Sequence, residues 1–206
     1  KKELKKIQKI LSSNEYEAVA ICCLHSYVDP SNEYILKDLV RKVCPNIPIA
    51  CSSDIANEFR EYERASTVTM SAYVQPVITN YINKFLEYLG RDGFVGQLSL
   101  MQSNGGLIPA QAMMNNSITA LFSGPAAGVV GSVEISKILG YQNLITFDMG
   151  GTSTDVSLID QGELKLAPIT EIDGLPIKTP VVDIATVGAG GGSISWIDDG
   201  NLLRVG

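Results

Sequence analysis

The chain is poor in the residues that metal clusters, redox pairs and membrane spans require. Its 206 residues include one histidine, His25, one tryptophan, and four cysteines, Cys22, Cys23, Cys44 and Cys51. No two cysteines form a C-x-x-C pair, and a single histidine leaves no zinc-ligand set. Cys22 and Cys23 are adjacent, so on a strand they point to opposite faces. Reduced, mostly buried thiols of a cytoplasmic protein are therefore expected, with His25 as a structural or surface residue. No apolar run reaches the ~20 residues of a membrane span, and the first residues do not read as a signal peptide, so no membrane role is expected. There is no G-x-x-x-x-G-K-[ST] string. Basic charge is scarce, with 16 Lys and Arg against 22 Asp and Glu and a net charge of −6. That balance argues against nucleic acid as a partner.

The basic charge is also uneven. Residues 1–10 hold five lysines and one glutamate, +4, while the remainder holds 11 basic and 21 acidic residues, −10. Leu4, Ile7, Ile10 and Leu11 recur at helical spacing in that segment, so 2–12 reads as an amphipathic helix with a solvated lysine face. Hydrophobic content of 45% and charged content of 18% fit a soluble globular protein able to bury one good core or two small ones.

Residues 18–24 are apolar on both faces, as in a central parallel strand. Asp29 and Pro30 open a helix over 31–43, whose buried side should carry Ile35, Leu36, Leu39, Val40 and Val43. A short strand over 47–51 completes a βαβ unit, and Ser52-Ser53-Asp54 offers N-cap chemistry. Residues 58–64 form a charge-rich turn or short helix, where Arg60 and Arg64 would repel across one turn of a solvated face. Apolar residues from Val74 to Leu89 recur every three or four positions, predicting a long helix over 66–89. Pro76 should kink or restart it, and Gly90 stands where a C-cap belongs.

A strand over 98–101 leads into the polar, glycine-rich loop Gln102-Ser103-Asn104-Gly105-Gly106. Such a loop at a strand's carboxyl end is either a ligand site or a plain turn into the next short helix, 109–114. Ser123-Gly124-Pro125-Ala126-Ala127-Gly128 starts a helix to about Leu139, with Ser123 as cap and Pro125 at the first helical position. Its small residues suit close packing on a sheet, a ligand at the helix N-terminus, or both.

The chemistry concentrates in residues 144–159. Two apolar runs flank a turn made of Gly150, Gly151, Thr152, Ser153 and Thr154, with Asp148 and Asp155 on either side. An ordinary Gly-Gly hairpin needs neither the two acids nor the three hydroxyls. A phosphate chain with Mg²⁺ uses both: N–H and hydroxyl donors for the oxygens, carboxylates for the metal and its waters. Beyond it, 163–169 reads as a strand and 168–180 as a proline-punctuated loop. Gly188-Ala189-Gly190-Gly191-Gly192-Ser193 is no dinucleotide fingerprint, since a strand and not a helix follows it. It is either a flexible loop or bare backbone on which a nucleoside lies. Asp199-Gly200 signals a hairpin turn.

Several strings in order resemble the hydantoinase A / 5-oxoprolinase family: 24–27, 60–64, 101–106, 123–131, 146–159 and 186–194. The resemblance covers nearly the whole chain. It implies an α/β fold of the actin/hexokinase-like (ribonuclease H-like) type, two-lobed, with ATP in the cleft and one phosphate hairpin per lobe. Only the second hairpin is present, so we expect an internal fragment. Residues 1–65 would end the first lobe, 66–90 would form a connecting helix, and 91–206 would start the second lobe. The resemblance further implies that ATP phosphorylates the carbonyl oxygen of a lactam such as a hydantoin or 5-oxoproline, which water then opens. Asp148 would hold Mg²⁺, with Asp155 a second catalytic acid. Gly150, Gly151, Thr152 and Thr154 would bind phosphate, Gly190, Gly191 and Gly192 would sit near the nucleoside, and Gln102, Asn104 and Gly105 would contact substrate. A hydantoinase B-type partner subunit is implied as well. Acetone and acetophenone carboxylases, which activate a ketone, resemble the same family. A nucleotide-gripping module without turnover is the alternative from another class.

Overall fold

A computed structural model describes residues 2–11 and 15–205. Helix α1, Lys2–Leu11, is as expected, and residue 12 of the predicted helix lies outside the described residues. Strand β1 (Val19–Ile21), helix α2 (Ser31–Val43) and strand β2 (Ile49–Cys51) form the expected βαβ unit, with β1 parallel to β2. Both strands have only three residues, because the chain turns at Cys23–Ser26 and enters α3 (Ser52–Ile55) directly after Cys51. Among the described residues β1 pairs with β2 alone, and Ala20 is exposed. Helix α2 also turns differently from its apolar pattern. Ile35 is 58% exposed, whereas Glu33 is fully buried. Only Cys51 is buried among the four free thiols, and Cys22 is exposed, against the expectation of mostly buried cysteines.

Helix α4, Glu61–Arg91, is longer than predicted at both ends and continues through Pro76. Its 31 residues reach about 46 Å. One stripe, including Val68, Ala72 and Ile82, is buried, while Tyr73, Val77, Tyr81 and Tyr88 face outward. The C-cap is Asp92, and Gly93, not Gly90, takes the left-handed conformation at φ 79°. The Phe94 N–H bonds Leu89 O at 2.9 Å and the Gly93 N–H bonds Gly90 O at 3.1 Å, the paired pattern of a Schellman stop.

Strands β3 (Ser99–Met101) and β4 (Leu107–Pro109) make an antiparallel hairpin ahead of α5 (Ala110–Asn115) and a 3₁₀ turn, Ser117–Ala120. Met113 and Ala110 pack with Ile82 of α4 into one core cluster. Helix α6, Ser123–Leu139, follows. Phe122 is its N-cap, without a side-chain bond, so Ser123 does not cap it and Pro125 falls at the third helical position. The first turn tolerates proline there because its N–H groups lack intrahelical partners anyway.

The main sheet carries strands β5 (Leu144–Met149), β6 (Thr154–Asp160), β7 (Glu163–Leu164) and β12 (Ala185–Val187), in order β12-β6-β5 with β7 also on β6. Ala126, Val129 and Val133 of α6 pack on Ile159 and Val182 to form the second core cluster. The opposite face of the sheet is open: Ile145, Phe147 and Leu158 are 68%, 66% and 47% exposed. The strand expected over 163–169 is two pieces, β7 and β8 (Leu166–Ala167), because the chain changes partner between them, from β6 to β11 (Val181–Val182). The stretch read as a loop holds a hairpin, β9 (Thr170–Ile172) and β10 (Leu175–Ile177). Strands β13 (Ser195–Ile197) and β14 (Leu203–Val205) close on the expected turn at Asp199-Gly200. Among the described residues no helix is long and apolar enough to cross a membrane.

Candidate functional site

The β5–β6 hairpin sets six pairs in register, from Leu144↔Ile159 to Met149↔Thr154, and leaves Gly150 to Ser153 as the turn. The Gly150 N–H bonds Ser153 O at 2.9 Å, closing it. Gly150, Gly151 and Thr152 are exposed at its tip. The glycine loop after β12 lies directly on this turn. The Gly191 N–H donates to Gly150 O at 2.9 Å and the Gly192 N–H to Gly151 O at 2.8 Å. Thr154, expected among the phosphate donors, is buried, and its hydroxyl donates to Ala189 O at 2.6 Å. Its proton therefore fastens the two loops together.

This contact explains the glycine at position 190. A Cβ on Gly190 would stand 2.7 Å from Gly150 O and 2.8 Å from both Gly151 C and Ser153 N, all backbone atoms of the turn. Gly190→Ala is expected to destabilise the fold by about 2 kcal/mol, read as a lower midpoint in denaturant titration. An unchanged midpoint would show that the two loops part without cost.

Asp148 and Asp155 face each other directly across β5 and β6. Like charges in that position repel, so the pair suits a cation between them. Asp155 Oδ1 accepts the Thr186 hydroxyl at 2.7 Å, which fixes the carboxylate's orientation. Both carboxylates line a cavity of about 250 Å³ between the sheet and α6, together with Gly128 and Ser132. A Cβ on Gly128 would lie 3.8 Å from Asp148 Oδ2, so this helix position is open toward the acid. The small face of α6 packs on the sheet through Ala126 and borders the cavity through Gly128. A second cavity, about 550 Å³, shares Pro125, Asp155 and Ile184 with the first and adds Ser153 and Thr186. Among the described residues no three His, Cys, Asp or Glu converge on a metal position. Mg²⁺ commonly takes only one or two carboxylates and fills its other positions with waters and phosphate oxygens, so a pair of acids beside a donor-rich turn is compatible with it.

Gln102, Asn104 and Gly105 line neither cavity. Their loop is a closed hairpin turn: the Gln102 N–H bonds Gly106 O, the Gly106 N–H bonds Asn104 Oδ1, and Gly105 has φ 84°. Ser103 is buried and joins three segments. Its N–H and hydroxyl both reach Thr119 O at 2.7 Å, its carbonyl accepts the Val182 N–H at 2.7 Å, and its Oγ accepts the Phe122 N–H at 3.1 Å. The loop therefore positions the start of α6 and strand β11. Thr186 and Ser132 were not singled out in the sequence, although Thr186 opens the 186–194 string and Ser132 lies one turn after Gly128.

A family model described as Hydantoinase/oxoprolinase matches residues 64–206. The caprolactamase subunit alpha of Pseudomonas jessenii is 34% identical over 192 residues, covering 93% of this chain and 28% of that protein. The 5-oxoprolinase of Saccharomyces cerevisiae is 36% identical over 207 residues, covering 98% of this chain and 16% of that one. The crystal structure of the ATP-dependent caprolactamase from Pseudomonas jessenii superposes with a TM-score of 0.86 at 32% identity, over 98% of this chain and 29% of that chain. A nucleotide-free acetone carboxylase structure, from work on ATP-dependent acetone carboxylation, gives 0.79 at 29% identity over 98% and 29%. The chain spans less than a third of the length of each of these relatives.

Proposed function

The chain belongs to the hydantoinase/oxoprolinase family, and from that premise we propose that it carries the phosphate-binding part of an ATP-dependent enzyme that activates and opens a cyclic amide. The observation that carries this reading is the exposed Gly150–Thr152 turn with Asp148 and Asp155 opposed beside it. The fold is accordingly one part of a two-lobed actin/hexokinase-like ATPase. Residues 1–65 end the first lobe, 66–90 connect, and 91–206 begin the second. The protein works in the cytoplasm, beside a hydantoinase B-type subunit. The caprolactamase relative is a subunit alpha, which supports a multi-subunit arrangement.

When bound, ATP and Mg²⁺ supply an electrophilic phosphoryl group that converts an unreactive amide oxygen into a leaving group. The chain's own residues do the positioning. Backbone N–H groups at Gly151 and Thr152, with the Thr152 hydroxyl, take phosphate oxygens. Asp148 and Asp155 hold the cation and its waters, and the Gly190–Gly192 loop fixes the turn from behind. Phosphoryl transfer depends chiefly on such positioning and charge neutralisation.

The test is phosphate release by the full-length protein with Mg²⁺ and ATP, against a panel of lactams and ketones. Release that rises with a lactam is expected. Release that responds only to acetone or acetophenone would favour the ketone-activating reading, which the likeness to acetone carboxylase supports. No stimulated release by any carbonyl substrate would leave a nucleotide-gripping module.

A further inference from the structure

We infer that the larger cavity beside Asp155 admits uncharged cyclic amides and turns away those that carry a carboxylate. The inference rests on the cyclic-amide reading above and narrows it. At about 550 Å³ the cavity lies within the usual range of small-molecule sites. Its apolar surface comes from Phe122, Ile169, Val181 and Ile184, enough to shed water from a small ring. Ser153 and Thr170 bring hydroxyls that can donate to an amide carbonyl.

The charged lining is of one sign. Asp155, Glu171 and Asp183 all border the cavity, and among the described residues no Lys, Arg or His does. An amide N–H finds acceptors in such a site. A ligand carboxylate instead needs a cationic or N–H fork partner, and here it meets three like charges. Nucleotide bound at the neighbouring turn adds phosphate charge that one divalent ion does not cancel, so the field keeps its sign in the loaded site. The acids stand on separate strands or their flanks, β6, β9 and the segment after β11. The charge is therefore a property of the cavity wall and not of one loop. Glu171 and Asp183 are exposed, so their effect is moderate and dependent on salt.

The experiment compares ligands of one ring and different charge. 5-Oxoproline, its neutral amide 5-oxoprolinamide, and 2-pyrrolidone are titrated calorimetrically into the full-length protein at low and at physiological ionic strength. The two neutral lactams should bind about tenfold more tightly than 5-oxoproline at low salt, and the gap should narrow as salt rises. The double variant Glu171→Gln/Asp183→Asn should recover most of the lost affinity for 5-oxoproline and change that for its amide far less, since each new side chain keeps a carbonyl acceptor and loses only the charge. If 5-oxoproline binds as tightly as its amide, the inference fails and the cyclic-amide reading stands. If none of the three binds, the cyclic-amide reading falls and takes the inference with it.

Discussion

Asp148→Ala is expected to lower the turnover of the full-length enzyme by about a thousandfold or more and to leave its fold intact. The loss follows from geometry. Asp148 is one of two carboxylates that meet across β5 and β6 beside the exposed Gly150–Thr152 turn, and it lines the small cavity under α6. On the proposed function, its loss would leave the cation held from one side only. The fold has little to lose, because the residue is exposed and no described side chain bonds its carboxylate. Removing one of two opposed acids should even relieve a few tenths of a kcal/mol of repulsion. The expected signature is thus a thermal midpoint equal to or slightly above wild type, with kcat near background. Asp155→Ala should be less clean, since Asp155 also accepts the Thr186 hydroxyl across the β12–β6 pair. Thr152→Ala should cost less than either, because neighbouring N–H groups of the turn remain. An Asp148→Ala enzyme with ordinary turnover would refute the assignment.

How far the sequence spoke for itself depended on whether the cause was local. The β5–β6 hairpin was legible because both its strands and its turn are written in consecutive residues. So was α6, with its end at Gly140 in the left-handed conformation. Two further hairpins carried the same local signal and were passed over. Asp173-Gly174 has φ of 50° and 79°, and Gln161-Gly162 has 53° and 81°. Both are two-residue turns of the kind that joins twisted antiparallel strands. The prolines around the first of them drew attention to a loop instead.

What was not legible was long-range. Nothing in the glycine loop announces that it rests on the Gly150 turn, because that contact joins residues some 40 positions apart through backbone atoms. The same holds for Thr154, whose hydroxyl looks like a ligand donor until Ala189 O is placed against it. The loop at Gln102–Gly106 looked like a binding loop for its polar composition. Its polar groups in fact satisfy one another and the starts of α6 and β11.

The largest effect on stability is expected at a pair the charge pattern misread. Arg64 was assigned to a solvated face, yet Arg64 and Glu33 are both fully buried, 3.7 Å apart. Glu33 sits on α2 and Arg64 on α4, so the pair joins the βαβ unit to the long helix. The carboxylate is densely served. Oε1 accepts the Cys23 N–H at 2.8 Å and the hydroxyls of Ser26 and Ser52 at 2.7 and 2.6 Å. Oε2 accepts the N–H and hydroxyl of Ser53 at 2.9 and 2.8 Å. Ser52 and Ser53, expected to cap a helix, are spent here. Arg64 in turn donates to Cys23 O and to the Ser26 and Ser52 oxygens, and lies over the Tyr27 ring at 5.6 Å. Its Nε and Nη1 are buried without a partner.

Such a pair is costly to break from one side, because the remaining charge stays in the interior. Arg64→Leu and Glu33→Gln should each destabilise the protein by about 3–5 kcal/mol. The double variant should cost clearly less than their sum, since it strands neither charge. Acid titration gives an independent check. Burial pushes the Glu33 carboxyl up, but the bonds from Ser52, Ser53, Cys23 and Ser26 outweigh it and hold the group at about 2, below its ordinary 4.5. A carboxyl lowered on folding stabilises the protein fully above its unfolded value and loses that contribution as the pH falls through its folded one. Wild type should therefore lose roughly 3 kcal/mol from this group between about pH 5 and pH 2. Glu33→Gln, with no proton to take up, should show a flatter profile over the same range in urea titrations. A variant as acid-sensitive as wild type would mean that other carboxylates set the acid limit, and that the network around Glu33 contributes packing without charge stabilisation.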